Sequence, residues 1–157
     1  MEKTLHKDLY IKDEWFQKES SKIFQNEWFC VARNEDFEAP GDFKLLNIAG
    51  ESIFLLLGED KQIRSFFNLC KHRGCQLLDK TDESQSKGNF KKFIRCPYHS
   101  WTYNLDGRLR KAPHLDLNTN NNEYHLNQIM TQSWGGFLFI KMKNNESKHG
   151  HNDYSLS

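Results

Sequence analysis

The chain has 157 residues, 37% of them hydrophobic with 12 Phe, and its 22 Lys and Arg stand against 21 Asp and Glu for a net charge of +1. That length suits one domain with a sizeable core and excludes a large multidomain enzyme, while the even charge balance lacks the basic footprint that binding a phosphate backbone requires, so no nucleic acid partner is expected. No run approaches the ~18 apolar residues of a membrane span, and Met1 to Lys12 carries Glu2, Lys3, Lys7 and Asp8 where a signal peptide needs an apolar stretch, which predicts no membrane contact and a cytoplasmic location.

The N-terminal pattern from Asp13 to Asn26 predicts one amphipathic helix, with Asp13 as cap, Glu14 in the first turn and Phe16, Ile23 and Phe24 near one face. The period then changes. Short apolar runs at Trp28 to Ala32, Phe43 to Ile48, Ile53 to Leu57 and Ile63 to Leu69 are separated by Pro40-Gly41, Gly50-Glu51 and Gly58-Glu59-Asp60, and they read as hairpin strands. Further strands are predicted at Phe90 to Arg95, Ser100 to Leu105 before the Asp106-Gly107 turn, His125 to Gln132 and Gly136 to Met142. Asp79 to Asn89 is polar and without period, so it reads as a solvated loop, and Asn144 to Ser157, with His149 and His151, reads as a polar tail. The domain boundaries that follow are a helical extension over 1–27, a mainly β domain over 28–143 and the tail over 144–157.

Four cysteines, at 30, 70, 75 and 96, would suit disulfides in an oxidising compartment, but beside histidines in a reducing one they point to metal ligation. Cys30 stands alone among apolar residues and reads as a small buried side chain. The others fall in two boxes, Cys70-Lys71-His72-Arg73-Gly74-Cys75 and Cys96-Pro97-Tyr98-His99-Ser100-Trp101, each offering a thiolate and an imidazole just after a predicted strand. Two Cys and two His match the donor set of a structural zinc site, whose paired ligands usually leave two to four residues between them; Cys70 and His72 have only Lys71. A two-iron cluster gives each box its own coordination positions and suits this spacing better.

These boxes resemble those of Rieske [2Fe-2S] proteins. The stretches IFQNEWFCVARNEDFEAPGDF, AGESIF, SFFNLCKHRGC, CPYHSWTYNLDGRLRKAP and SWGGFLFIKM resemble the N-terminal domain of Rieske non-haem iron oxygenase α subunits. The resemblance implies a mainly β fold, an antiparallel sandwich with an N-terminal helix and two cluster-binding loops. It implies one [2Fe-2S] cluster per chain, with Cys70 and Cys96 on one iron and His72 and His99 on the other. Neutral imidazoles lift the potential into roughly −150 to +300 mV, against about −400 mV for all-Cys plant-type clusters. The low end is expected, because the disulfide that braces high-potential relatives has no second cysteine here: Cys75 faces a position occupied by Tyr98.

Gly74 and Pro97 are expected to shape the ligand loops, and Trp101 to shield the cluster, to pack in the core, or both. Arg73 reads either as a solvated charge or as a docking contact; His6, His114 and His125 read as surface histidines. Two departures from the family stand out. The 23 residues between His72 and Cys96 make a longer connection than usual, and no Asp or Glu with two His supplies the facial triad that binds a mononuclear iron. The expected function is therefore electron transfer as the Rieske part of a mono- or dioxygenase. The expected partners are a reductase or ferredoxin donor and a mononuclear-iron oxygenase domain as acceptor; the chain alone is not expected to oxygenate a substrate. The alternatives are a stand-alone Rieske-type ferredoxin and, more distantly, the zinc module.

Overall fold

The computed structural model describes residues 4–79, 86–113, 115 and 122–143. The tail over 144–157 and His114 lie outside them, as does most of the loop predicted after Asp79. The predicted helix is present but begins earlier and is interrupted. A single turn α1 (Asp8–Ile11) precedes α2 (Asp13–Glu19), which runs on into a wider π-helical turn over Ser20–Phe24, where the Gln25 amide reaches back to the Ser20 carbonyl at 3.0 Å. Asp13 does not cap: Lys12 holds the cap position with an extended backbone, and Asp13 is the first helical residue. The apolar face of the helix meets the β domain through aromatic rings, with Phe16 against Phe24 and Phe24 stacked on Phe29 at 5.5 Å.

Among the described residues ten antiparallel strands follow: β1 (Phe29–Arg33), β2 (Asp42–Ile48), β3 (Glu51–Leu57), β4 (Ile63–Phe67), β5 (Lys87–Asn89), β6 (Ile94–Arg95), β7 (Thr102–Tyr103), β8 (Leu109–Lys111), β9 (Gln128–Trp134) and β10 (Phe137–Lys141). Seven form one sheet in the order β1-β10-β9-β4-β3-β2-β5, and β6-β7-β8 form a second. The sandwich with an N-terminal helix expected from the sequence is thus the architecture found. Its main core lies between the two sheets, where Phe54, Leu56 and Phe66 of the large sheet meet Ile94, Tyr103 and Leu105. On its other face the large sheet curls, so that Ala32 and Leu138 close over Leu55 and Leu57.

Two strands escape the sequence pattern, β5 and β8. Lys87-Gly88-Asn89 was expected within a loop but pairs with β2, and its lack of a side chain at Gly88 is what allows this: a Cβ there would stand 2.8 Å from the Phe43 ring. Short polar strands paired through the backbone carry no period to read. Conversely, the strand predicted from Phe90 is confined to Ile94–Arg95, because Lys91 turns the chain with φ 64°. Cys30 is exposed, contrary to expectation, since β1 carries a bulge between Cys30 and Ala32 that re-aims its side chains.

Candidate metal centre

The two boxes fold into the same six-residue turn. In the first, the Cys70 amide donates to the Cys75 carbonyl at 2.8 Å and the Gly74 amide to the Cys70 carbonyl at 2.9 Å; in the second, Cys96 donates to Trp101 at 2.8 Å and Ser100 to Cys96 at 3.1 Å. The fifth residue of each turn is left-handed, Gly74 at φ 64° and Ser100 at φ 60°. Glycine takes that conformation freely, whereas serine does so at a cost of roughly 1 kcal/mol. The Arg95 guanidinium holds Ser100 there by donating to its Oγ at 2.9 Å.

The first turn leaves the end of β4 and the second connects β6 to β7, so the sandwich brings both to one end of the molecule. Asn68, fully buried, fastens the first. Its Oδ1 accepts the amides of Leu77 at 3.1 Å and Leu78 at 2.9 Å, and its Nδ2 donates to the Leu78 carbonyl at 2.8 Å and to Ser52 Oγ on β3 at 3.1 Å. All four hydrogen-bonding positions of the amide are filled. Periodicity does not single out Asn68, although a lone Asn at the end of an apolar strand is the signal of such a residue.

Among the described residues no three Cys, His, Asp or Glu side chains close round a single point. The candidate donors come instead as two pairs. Cys70 and Cys96 are each only 2% exposed, and Cys96 lies close enough to help push the Cys70 thiol up. His72 and His99 stand outside them at the surface and turn Nδ1 toward Nδ1 at 3.1 Å. The four predicted ligands thus stand as two pairs, the thiols inside and the imidazoles outside. Burial pushes the Cys70 thiol up, opposed by the Tyr103 hydroxyl, while desolvation together with the His99 and Arg73 charges holds His72 below the usual imidazole value.

Aromatic rings flank both imidazoles. Trp101, buried, lies parallel to His72 at 4.7 Å, and Tyr98 stacks on His99 at 3.8 Å while remaining 60% exposed. Trp101 therefore both packs in the core and covers an imidazole, and its edge meets Tyr124. An open cleft of about 670 Å³ beside the pair is lined by Lys71, His72, Arg73, His99 and Trp101 among others. Cys75 is half-buried against the same core, its sulfur near Cys96 and 3.4 Å from the Gln76 carbonyl. His6 and His125 stay apart from the site, and His125 is no bare surface residue: half-buried, it accepts the Leu109 amide at 3.1 Å and so braces β8.

Comparison with known proteins places both boxes inside one matched family domain. Residues 27–125 match the family described as Rieske [2Fe-2S] domain. Over 145 residues the chain is 34% identical to the carnitine monooxygenase oxygenase subunit of Acinetobacter baumannii, a match covering 90% of this chain and 37% of that protein. It is 32% identical over 143 residues to the glycine betaine monooxygenase oxygenase subunit of Pseudomonas aeruginosa, covering 90% of this chain and 32% of that one. The crystal structure of the quaternary ammonium Rieske monooxygenase CntA in complex with L-carnitine superposes with a TM-score of 0.81 at 33% identity, over 92% of this chain and 40% of CntA. The chain thus spans about a third of the length of the curated relatives it matches.

Proposed function

This chain belongs to the Rieske [2Fe-2S] family, and on that premise we propose that it carries single electrons through a cluster held by Cys70, His72, Cys96 and His99. It does so as the Rieske part of an oxygenase. The observation that carries the reading is the separation of the donors into a buried thiol pair and an imidazole pair nearer the surface, His72 exposed and His99 half-buried. One ion needs all its ligands round one centre, whereas a bridged pair of irons takes two on each side, so these residues fit the cluster. Cys70 and Cys96 would hold the inner iron, His72 and His99 the outer one. When bound, the cluster supplies a site that accepts one electron and gives it up again at a moderate potential.

The chain's own groups set the terms of that transfer. The Lys71 amide donates to the Tyr103 hydroxyl at 3.1 Å, which leaves the hydroxyl proton to point at Cys70 Sγ, also 3.1 Å away. A hydrogen bond to that sulfur favours the more negative, reduced state. Trp101 excludes water from one side of His72, and the outer edges of the imidazoles open into the cleft, where the path to a partner is shortest. Residues 28–143 form the cluster-carrying unit, with 1–27 as an extension packed on it through Phe24 and Phe29.

The donor is a reductase or ferredoxin, and the acceptor is a mononuclear iron on an oxygenase domain. The two relatives above are named for carnitine and glycine betaine, so the oxygenase served is of the class acting on quaternary ammonium compounds. The protein works in the cytoplasm, in keeping with the described residues containing no helix long and apolar enough to cross a membrane. Iron and acid-labile sulfide analysis with low-temperature EPR tests the central claim. Two of each per chain and a rhombic reduced signal averaging near g ~1.9 are expected. His72→Ala and His99→Ala should each abolish that signal while His125→Ala keeps it; a colourless protein binding one zinc would overturn the reading.

A further inference from the structure

The even charge of the whole chain hides a strong local asymmetry. Across the described residues 69–79 and 86–113, which carry both ligand turns and the second sheet, nine Lys and Arg stand against only Asp79 and Asp106, and of the nine Lys87 pairs with Asp36 and Arg108 with Asp106. The exposed face of that sheet is part of this cationic lobe. Register places Arg95, Thr102 and Lys111 in one row across β6, β7 and β8, with Thr102 itself buried between the two exposed cations, while Ile94 and Tyr103 in the neighbouring row turn into the core. Arg95 and Lys111 are exposed and have no acidic partner among the described residues; Phe93, 41% exposed, stands two residues before Arg95, flanked by Lys91 and Lys92. An exposed aromatic ring beside unpaired cations suits recognition of an acidic protein. The surface is also joined to the metal centre: Arg95 immediately precedes Cys96, and its guanidinium grips Ser100, which follows His99.

We propose that the outer face of the second sheet, centred on Phe93, Arg95 and Lys111, is the docking surface for the electron donor, and that this donor is a protein with an acidic patch round its own redox centre. The inference rests on the electron-transfer reading above. Like-charged neighbours on a solvated face are retained at a cost, and steering an oppositely charged partner is what they supply. A donor seated on this face would touch Arg95, which adjoins Cys96 in the chain and holds Ser100, the residue after His99.

Stopped-flow reduction of the cluster-loaded full chain tests this, with a reduced plant-type [2Fe-2S] ferredoxin of acidic surface as the probe. The second-order rate should rise as salt is lowered. At about 0.01 M ionic strength, Lys111→Glu should slow it about tenfold, with the difference closing above ~0.5 M, where charges are screened. Lys111→Gln should fall between, and Lys22→Glu on the N-terminal extension should stay within twofold of the parent. The midpoint potential and the rate of reduction by photoreduced deazaflavin should not change in Lys111→Glu, which separates docking from damage to the centre. A Lys111→Glu rate equal to that of the parent, or slowing confined to Lys71→Glu and Arg73→Glu, would overturn the proposal while leaving electron transfer intact. Absence of a reducible cluster in the parent protein would instead overturn the reading beneath it.

Discussion

The Tyr103 hydroxyl lies 3.1 Å from the Cys70 sulfur and accepts the Lys71 amide at the same distance, so one buried side chain ties β7 to the first ligand turn at two points. Burial pushes the Tyr103 hydroxyl far above its ordinary value, so it remains a proton donor across the working pH range. Tyr103→Phe keeps the ring and removes the donor. The midpoint potential should fall by tens of millivolts, since about 1 kcal/mol of preference for the reduced state corresponds to ~40 mV for one electron. Protein-film voltammetry reads this directly, and an unchanged potential would show that the hydroxyl does not act on the sulfur.

The matched ligand turns make opposite substitutions informative. No atom lies within 4 Å of a Cβ added at Gly74, so Gly74→Ala should cost only the left-handed backbone penalty, roughly 1–2 kcal/mol. Ser100→Gly relieves that same penalty but gives up the Arg95 hydrogen bond, leaving stability unchanged or slightly raised. Denaturant unfolding of both variants should therefore move in different directions. A loss in Ser100→Gly as large as in Gly74→Ala would mean that the Arg95 contact outweighs backbone strain.

Asn68→Ala should be the costliest of the single changes considered. It strands two amides and a carbonyl of Leu77 and Leu78 in a buried site, and a loss of about 3 kcal/mol is expected after partial relief by entering water. Hydrogen exchange at the Leu77 and Leu78 amides should quicken more than at β3, and iron should pass to a chelator faster than from the parent. Uniform quickening across the molecule would point to general destabilisation instead.

Acid lability has a second origin away from the metal. Asp36 accepts from Lys44 at 3.0 Å, from the Arg33 amide at 3.2 Å and from Lys87 on β5 at 3.3 Å, with Lys44 the leading cause of its depressed value of about 2. A carboxylate whose folded value lies below its ordinary 3.8 contributes stability in full above that pH and loses it as the pH falls toward 2. Asp36→Asn should flatten the decline of stability between about pH 4 and 2 without altering its shape near neutrality. Urea midpoints measured across that range decide it.

Most of this molecule was legible before folding. The apolar runs at 53–57 and 63–67 and the turns between them determined the central strands, because long alternating or continuous apolar segments have one place to go. The Cys-x-His and Cys-x-x-His spacing marked out the proposed donor set by the same local logic, since each box closes into a six-residue turn through its own backbone hydrogen bonds. What only the tertiary structure decided depends on groups far apart in sequence. Lys87–Asn89 is a strand because Phe43 needs the space above Gly88; Asn68 and Tyr103 matter because they bond atoms ten and more residues away; and the cationic face exists because β6, β7 and β8 set Arg95 and Lys111 in one row. Periodicity reports which side of an element is buried, whereas the pairing of elements, which decides what each polar or missing side chain meets, is settled only when the chain closes on itself.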